Sequence, residues 1–503
     1  MKVAEVETFV VANPPPRRGG RYFIFVKLTT EGGVNGIGEA YVATFDPHLV
    51  ARMIEDVADR FLVGRSPFDI EVFWRRAYGS GYALRPDPTL CGVVSALEMA
   101  CWDLIGKECN RPVYDLLGGR VHEGLRAYTY LYPADGDDTY TPTTERHIYN
   151  DPSLAAEAAR DAVAKGFTAV KFDPADSYTV FDGRQPTPSE LAFCESMVSA
   201  LRDAVGTSAD ILFGTHGQFT PSGALRLARV LEAYDPLWFE EPVPPEDLEG
   251  MARVAAGTTI PVATGERLTG VGEFAAVLRA GAASILQPDL GRSGGLLQGK
   301  KIAALGEVHQ ALLAPHCYCG PVVAAANIQL AACTPNFLIL ESIGDWSGFH
   351  AELLETPLTF EDGMVIPPTE PGLGVVLDEE VARAFRDSGA QVHVETGHTL
   401  WDPELLLAKN GGAPPTSMPA FLKLVERVGP PPRPLEGGSG QLPPSDWAPG
   451  SDGAEPGGVP ALKDLGYGPA ADALGAFPFK GGETAGLERL EASLRRGGGA
   501  VWA

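Results

Sequence analysis

Glu240, Glu266, Asp289, His316 and Glu341 each close a short apolar run, at 236–240, 261–266, 284–289, 311–316 and 336–341. A buried strand gains nothing by ending on a carboxylate, so packing does not account for the series. Glu240 and Glu266 offer hard oxygen ligands, which suit Mg2+ in near-octahedral geometry; alternatively, such a glutamate caps the helix that follows it. Asp289 and His316 fall on neighbouring runs. A carboxylate bonded to one ring nitrogen fixes the tautomer and raises the basicity of the other, which makes His316 a candidate general base. The competing reading is a buried histidine satisfied by a backbone carbonyl. His216, in Gly214-Thr215-His216-Gly217, follows an earlier run. It is either a candidate acid for a leaving hydroxyl or a loop histidine with structural hydrogen bonds. Lys171 and Arg267 are candidates for holding a substrate carboxylate. An ion pair with a neighbouring acid explains Lys171 equally well, and bracing of Glu266 explains Arg267.

These residues can meet only if the runs end on one face. Between about 126 and 345, apolar runs begin near Arg126, Phe167, Asp210, Leu237, Pro261, Ser284, Ala311 and Asn336. Amphipathic helical patterns lie between most of them, as at 153–165 and 188–205. Repeated strand–helix units predict an α/β fold built on a (β/α) TIM-type barrel, whose C-terminal strand ends open together. Residues 1–125 read as strands followed by helices, an α+β unit with a hairpin turn at Gly32-Gly33 and helical patterns at 48–61 and 92–106. The barrel unit is expected over 126–385, its last part returning to the N-terminal unit. Pro and Gly crowd together from 411 to 460, which predicts that 390–503 is mostly linker or disordered.

The 503 residues carry a formal net charge of -25, which disfavours nucleic acid and anionic membranes as partners. An anionic substrate would need local positive charge, which a divalent cation supplies. Seven cysteines at scattered positions suggest reduced thiols and a cytoplasmic location. Cys317 and Cys319, beside His316, read as small residues in a crowded site, since no second pair has zinc-ligand spacing. No secretory pattern opens the chain, and no stretch is expected to be long and apolar enough to cross a bilayer.

Residues 1 to about 385 resemble the mandelate racemase subgroup of the enolase superfamily. The resemblance rests on Trp102-Asp103 with Gly106-Lys107, Phe239-Glu240-Glu241-Pro242, Gly265-Glu266-Arg267, Gln287-Pro288-Asp289, Gly294-Gly295, Pro315-His316-Cys317, Gly320-Pro321 and Gly372-Leu373-Gly374. It implies a capping domain over a modified barrel, a Mg2+ cofactor and abstraction of the proton α to a carboxylate. By position, Glu240 and Glu266 would be metal ligands and His316 with Asp289 the base. His216 would be the acid that expels a β-hydroxyl, and Glu341 would hydrogen-bond the enediolate. The implied activity is dehydration of a sugar acid, an aldonate or aldarate, to a 2-keto-3-deoxy acid, with a racemase or epimerase as the alternative. A small-molecule carboxylate is then the partner, in a symmetric homo-oligomer.

One departure stands out. The family's first metal ligand is an Asp two residues before the histidine at 216, and here that position is Gly214. Thr215, Gln218, Asp173 or an added water are the candidates to replace it. Weaker Mg2+ binding, a divergent reaction or a non-catalytic acid-sugar binder are the consequences to weigh. Lys171 lacks the paired Lys-x-Lys of other branches, so it is not the expected base. The tail, through Gly397 to Glu404, Lys409-Asn410-Gly411-Gly412, 418–425 and Gly481 to Thr484, resembles a fragment of animal-type cryptochromes and photolyases. The stretch stops before their flavin domain, so no flavin site is expected from it.

Overall fold

Alternating buried and exposed side chains build the first sheet. β1 (Val3–Ala12), β2 (Tyr22–Thr30) and β3 (Asn35–Ala40) pair antiparallel in that order, with Phe9 opposite Phe25 and Val26 opposite Gly38. The computed structural model describes residues 1–387 apart from 43–45, 81–84, 134–146 and 176–182. The tail expected over 390–503 therefore lies outside the described residues. Helices α1 (Pro47–Phe61), α2 (Ile70–Gly79), α3 (Pro88–Cys109) and α4 (Val113–Leu116) follow the sheet. A Cβ at Gly38 would strike the backbone of Ala96, so the glycine lets α3 lie directly on β3.

α3 corrects one expectation. It is 22 residues long and apolar enough to cross a membrane by length and composition, yet 83% of its most apolar window is buried inside the protein. Its buried face is also polar where the chain needs it. Asp103, 0% exposed, accepts hydrogen bonds from Ile37 N at 2.9 Å, Lys107 Nζ at 2.7 Å and Leu373 N at 2.8 Å. That carboxylate ties the first sheet, its own helix and the returning segment at Leu373 to one point.

The second unit alternates strand and helix: β4 (Leu125–Tyr130), α5 (Pro152–Ala164), β5 (Ala169–Phe172), α6 (Pro188–Val205), β6 (Asp210–Gly214), α7 (Pro221–Leu231), β7 (Trp238–Glu240) and α8 (Leu248–Gly257). It continues through β8 (Val262–Thr264), α9 (Gly270–Ala280), β9 (Ile285–Leu286), α10 (Leu296–Val308), β10 (Leu312–Leu313), α11 (Pro321–Ala332) and β11 (Leu340–Ser342). β4 to β10 pair in parallel in sequence order, and β11 pairs with β4. Leu313 bridges Phe337 in parallel, which closes the ring. Tyr128, Ala169, Leu212, Trp238, Ala263, Ile285, Ala314 and Ile339 form one buried cluster inside it. Large rings beside alanines fill the barrel interior, so it is a packed core and not a pore.

After β11 the chain returns as expected. α12 (Phe349–Glu352) leads to the hairpin β12 (Thr359–Glu361) and β13 (Met364–Ile366), with β13 antiparallel to β4. α13 (Glu379–Asp387) then packs on β1. Lys27 Nζ binds Glu379 Oε1 at 2.7 Å, and Arg383 Nη2 binds Glu7 Oε1 at 2.9 Å.

Candidate active site

The titratable residues named from the sequence gather at the C-terminal ends of the parallel strands. Glu240 closes β7 and is 1% exposed. Its Oε1 accepts from Lys171 Nζ at 2.5 Å, and its Oε2 accepts from Trp238 Nε1 at 3.0 Å and Gln287 Nε2 at 2.7 Å. Burial pushes the Glu240 carboxyl up to about 7, against the pull of Lys171. Lys171, on β5, also lies 3.7 Å from Glu341 Oε1. Burial works against its charge, but Glu240 and Glu341 outweigh it and hold the ammonium well above its ordinary pKa. Lys171 is thus already paired with acids. Arg267 pairs with Glu241 instead of bracing Glu266: its Nε lies 2.8 Å from Glu241 Oε2.

Two imidazoles face Glu266 from different strands. His316, beyond β10, has its Nδ1 2.6 Å from Asp289 Oδ2, and the other oxygen of Asp289 accepts from Gly291 N at 2.8 Å. Its Nε2 lies 3.5 Å from Glu266 Oε2 and 4.0 Å from Glu341 Oε2. Burial disfavours a charged ring there, but Glu341, Asp289 and Glu266 outweigh it and lift His316 to about 9. His216, beyond β6, has its Nδ1 3.1 Å from Asp173 Oδ2 and its Nε2 3.9 Å from Glu266 Oε1. Asp173 and Glu266 outweigh burial and raise His216 to about 10. Glu266 carries the reciprocal effect: burial would raise it, yet the two imidazoles and Lys171 hold it far below the carboxylate range.

Local backbone fixes the second imidazole. His216 adopts a left-handed conformation with φ of 48°, and so does Glu241 with φ of 40°. Such conformations are costly for non-glycine residues and persist where surrounding contacts impose them. Thr215 Oγ1 donates to Glu240 O at 3.1 Å and Glu241 O at 2.9 Å, while Gly217 N donates to Glu241 O at 2.7 Å. The loop carrying His216 is thereby stitched to the end of β7.

Asp173 as partner of His216 was not assigned from sequence. The signal was present in Lys171-Phe172-Asp173, since residues i and i+2 of a strand share a face. Glu39 and Glu98 are further buried carboxylates that the sequence reading passed over. Glu39 Oε1 accepts from Gly320 N at 2.6 Å, and its Oε2 accepts from Val322 N at 3.2 Å and Val323 N at 3.0 Å. It therefore caps α11, the helix that begins just after His316. Glu341, besides facing Lys171, accepts from Cys317 N at 2.8 Å, which fixes the backbone next to His316. Cys317 and Cys319 are buried with their sulfurs 3.8 Å apart.

The donor chemistry suits a hard divalent cation. Asp173 Oδ1 and Glu266 Oε2 are buried and accept no hydrogen bond. Asp173, Glu240, Glu241, Glu266, Asp289 and Glu341 surround Lys171, Arg267 and the two imidazoles, an excess of negative charge that a cation would balance. Among the described residues, no three His, Cys, Asp or Glu side chains are already closed around one point. The predicted ligand Glu240 is held by Lys171, Trp238 and Gln287, so a cation would have to draw Lys171 away from it or use the remaining lone pair of Glu240.

Comparison with known proteins agrees with this architecture. Residues 6–118 match the mandelate racemase/muconate lactonizing enzyme N-terminal domain, and residues 153–381 match the enolase C-terminal domain-like family. A D-galactonate dehydratase of Ralstonia nicotianae is 33% identical over 385 residues, 75% of this chain and 93% of the relative. A D-gluconate dehydratase of Thermoproteus tenax is 32% identical over 395 residues, 78% of this chain and 76% of the relative. A solved mandelate racemase/muconate lactonizing enzyme from Jannaschia sp. CCS1 is 49% identical, with a TM-score of 0.73 over 78% of this chain and 100% of that one. With both domains matched and the relatives covered over most of their length, the chain belongs to the mandelate racemase/muconate lactonizing enzyme family of the enolase superfamily.

Proposed function

We propose that the protein is a hydro-lyase that dehydrates a sugar acid, an aldonate or aldarate, to a 2-keto-3-deoxy acid. The observation that carries this reading is the pair of aspartate-held imidazoles. His316 and His216 follow the seventh and third strands of an eight-stranded ring, on opposite sides, and both present Nε2 towards Glu266. One can take a proton while the other gives one. Relatives named D-galactonate, D-gluconate and D-xylonate dehydratase, at 32–33% identity, support the same reaction class.

His316 Nε2 removes the proton α to the substrate carboxylate, and Asp289 holds Nδ1–H throughout. The carbon–hydrogen electrons pass into the enediolate. They return to form the carbon–carbon double bond as the β-hydroxyl leaves, protonated by His216 Nε2–H to water. The resulting enol becomes the 2-keto group. A divalent cation, which Glu240 and Glu266 would help to hold, would neutralise charge on the carboxylate as the enediolate forms. Glu341, beside Lys171 and His316, lies where it can reach that intermediate.

A panel of aldonates and aldarates assayed for 2-keto acid with Mg2+ tests the proposal; keto acid from at least one member, lost on chelation, is expected. The two-sided imidazole arrangement also suits a racemase or epimerase. Exchange of the α-hydrogen with solvent across the panel without any keto acid would favour that second reading.

A further inference from the structure

Asp173 lies just beyond β5, is 7% exposed, and turns its two oxygens to different tasks. Oδ2 meets His216 Nδ1 at 3.1 Å, whereas Oδ1 accepts no hydrogen bond. A buried carboxylate oxygen without a donor is costly and calls for a cation or water. On the neighbouring strand stands Gly214, the last residue of β6. A Cβ built on Gly214 would fall well inside van der Waals contact with that same Oδ1. The separation is about that between an aspartate's Cβ and its own carboxylate oxygens. Asp173 therefore fills, from the adjacent strand, the volume that an acidic side chain at 214 would occupy.

Strand register carries the point further. Phe172 pairs with Phe213 and Gly214 pairs with Glu240, so Asp173 flanks Gly214 on one side and Glu240 flanks it on the other. Glu266 follows on the next strand but one from Gly214, with its Oε2 also lacking a hydrogen-bond donor. We propose that Asp173 is the third oxygen ligand of a divalent cation held with Glu240 and Glu266, reaching in from β5 across the glycine of β6. The inference rests on the metal-assisted reading given above. In this arrangement Gly214 is the clearance that the relocated ligand needs. Asp173 then links the cation, through Oδ1, with His216, through Oδ2.

Direct cation binding tests this without reference to turnover. The full chain, stripped with chelator, is titrated with Mn2+ by electron paramagnetic resonance and with Mg2+ by calorimetry, in the absence of substrate. Circular dichroism and thermal midpoint serve as folding controls. Asp173→Ala is expected to weaken Mn2+ binding at least tenfold. The double variant Asp173→Ala/Gly214→Asp is expected to recover most of that loss, because it returns one carboxylate to the same volume. Gly214→Asp alone, which crowds two acids together, is expected to bind no better than the parent. Parent-like affinity in Asp173→Ala overturns the inference. Loss without recovery in a folded double variant also overturns it and leaves Asp173 as the holder of His216 alone. A parent protein that binds neither ion at millimolar concentration removes the cation from the proposed function and this inference with it. A parent that binds with Asp173 irrelevant removes the inference only.

Discussion

His316 and His216 have the same construction, an imidazole held at Nδ1 by an aspartate, but the proposed dehydration would use them in opposite protonation states. His316 must be neutral to accept the α-proton, and Glu341, Asp289 and Glu266 lift it to about 9 despite burial. His216 must be charged to donate, and Asp173 and Glu266 lift it to about 10. The active form, neutral His316 with protonated His216, therefore grows as pH rises through the His316 transition and is lost through that of His216, and a cation on Glu266 would draw both transitions to lower pH. We expect kcat/KM to rise with pH above neutrality and to fall again in more alkaline solution. A flat profile from pH 6 to 8 would show that these imidazoles do not limit the reaction. The contact between Asp289 and His316 was legible as sequence because both residues stop apolar runs. Asp173, the partner of His216, was less so, because it stands one residue past a strand and near a lysine that looks equally functional.

At the scale of elements, the first sheet and α3 do more than cover the barrel. Glu98, 0% exposed on α3, accepts from Leu296 N at 2.8 Å, Leu297 N at 2.9 Å and Trp102 Nε1 at 2.8 Å. The residue at the N-cap of α10 is Gly295, which has no side chain to cap it, so the cap comes from another helix. Burial pushes the Glu98 carboxyl up to about 7. Glu98→Ala strands buried donors, and by the usual cost of an unsatisfied group the fold should lose about 2 kcal/mol. Glu98→Gln, which keeps one acceptor oxygen, should lose less. Equal denaturation midpoints for the parent and Glu98→Ala would show that water replaces the cap. Sequence periodicity located α1, α3, α5 and α6 closely. It missed α2, where Ile70, Phe73 and Ala77 face inward but charged Arg75 and Arg76 interrupt the apolar text. It could not reveal a cap in trans, because that depends on which helix ends the fold brings beside α3.

At the scale of the whole molecule, the eight parallel strands turn a linear series of strand-end residues into a ring. The alternation of strand and helix was visible because each buried strand is a short apolar run between amphipathic helices. Closure was expected from the repeated strand–helix units, but the pairings that achieve it were not visible. It depends on β11 pairing with β4 and on Leu313 meeting Phe337, contacts between runs far apart in the chain or too short to show a period. Closure is also what sets His316 and His216 on opposite sides of one barrel mouth, where the proposed reaction would give each a separate step. The most direct measurement follows both steps at once in D2O, on a substrate identified by the panel, recording deuterium entry at the α-carbon and keto-acid formation. His316→Asn should abolish both. His216→Asn should keep deuterium exchange while losing keto acid by at least a hundredfold. Retained exchange in His316→Asn, or unimpaired keto-acid formation in His216→Asn, would contradict the account.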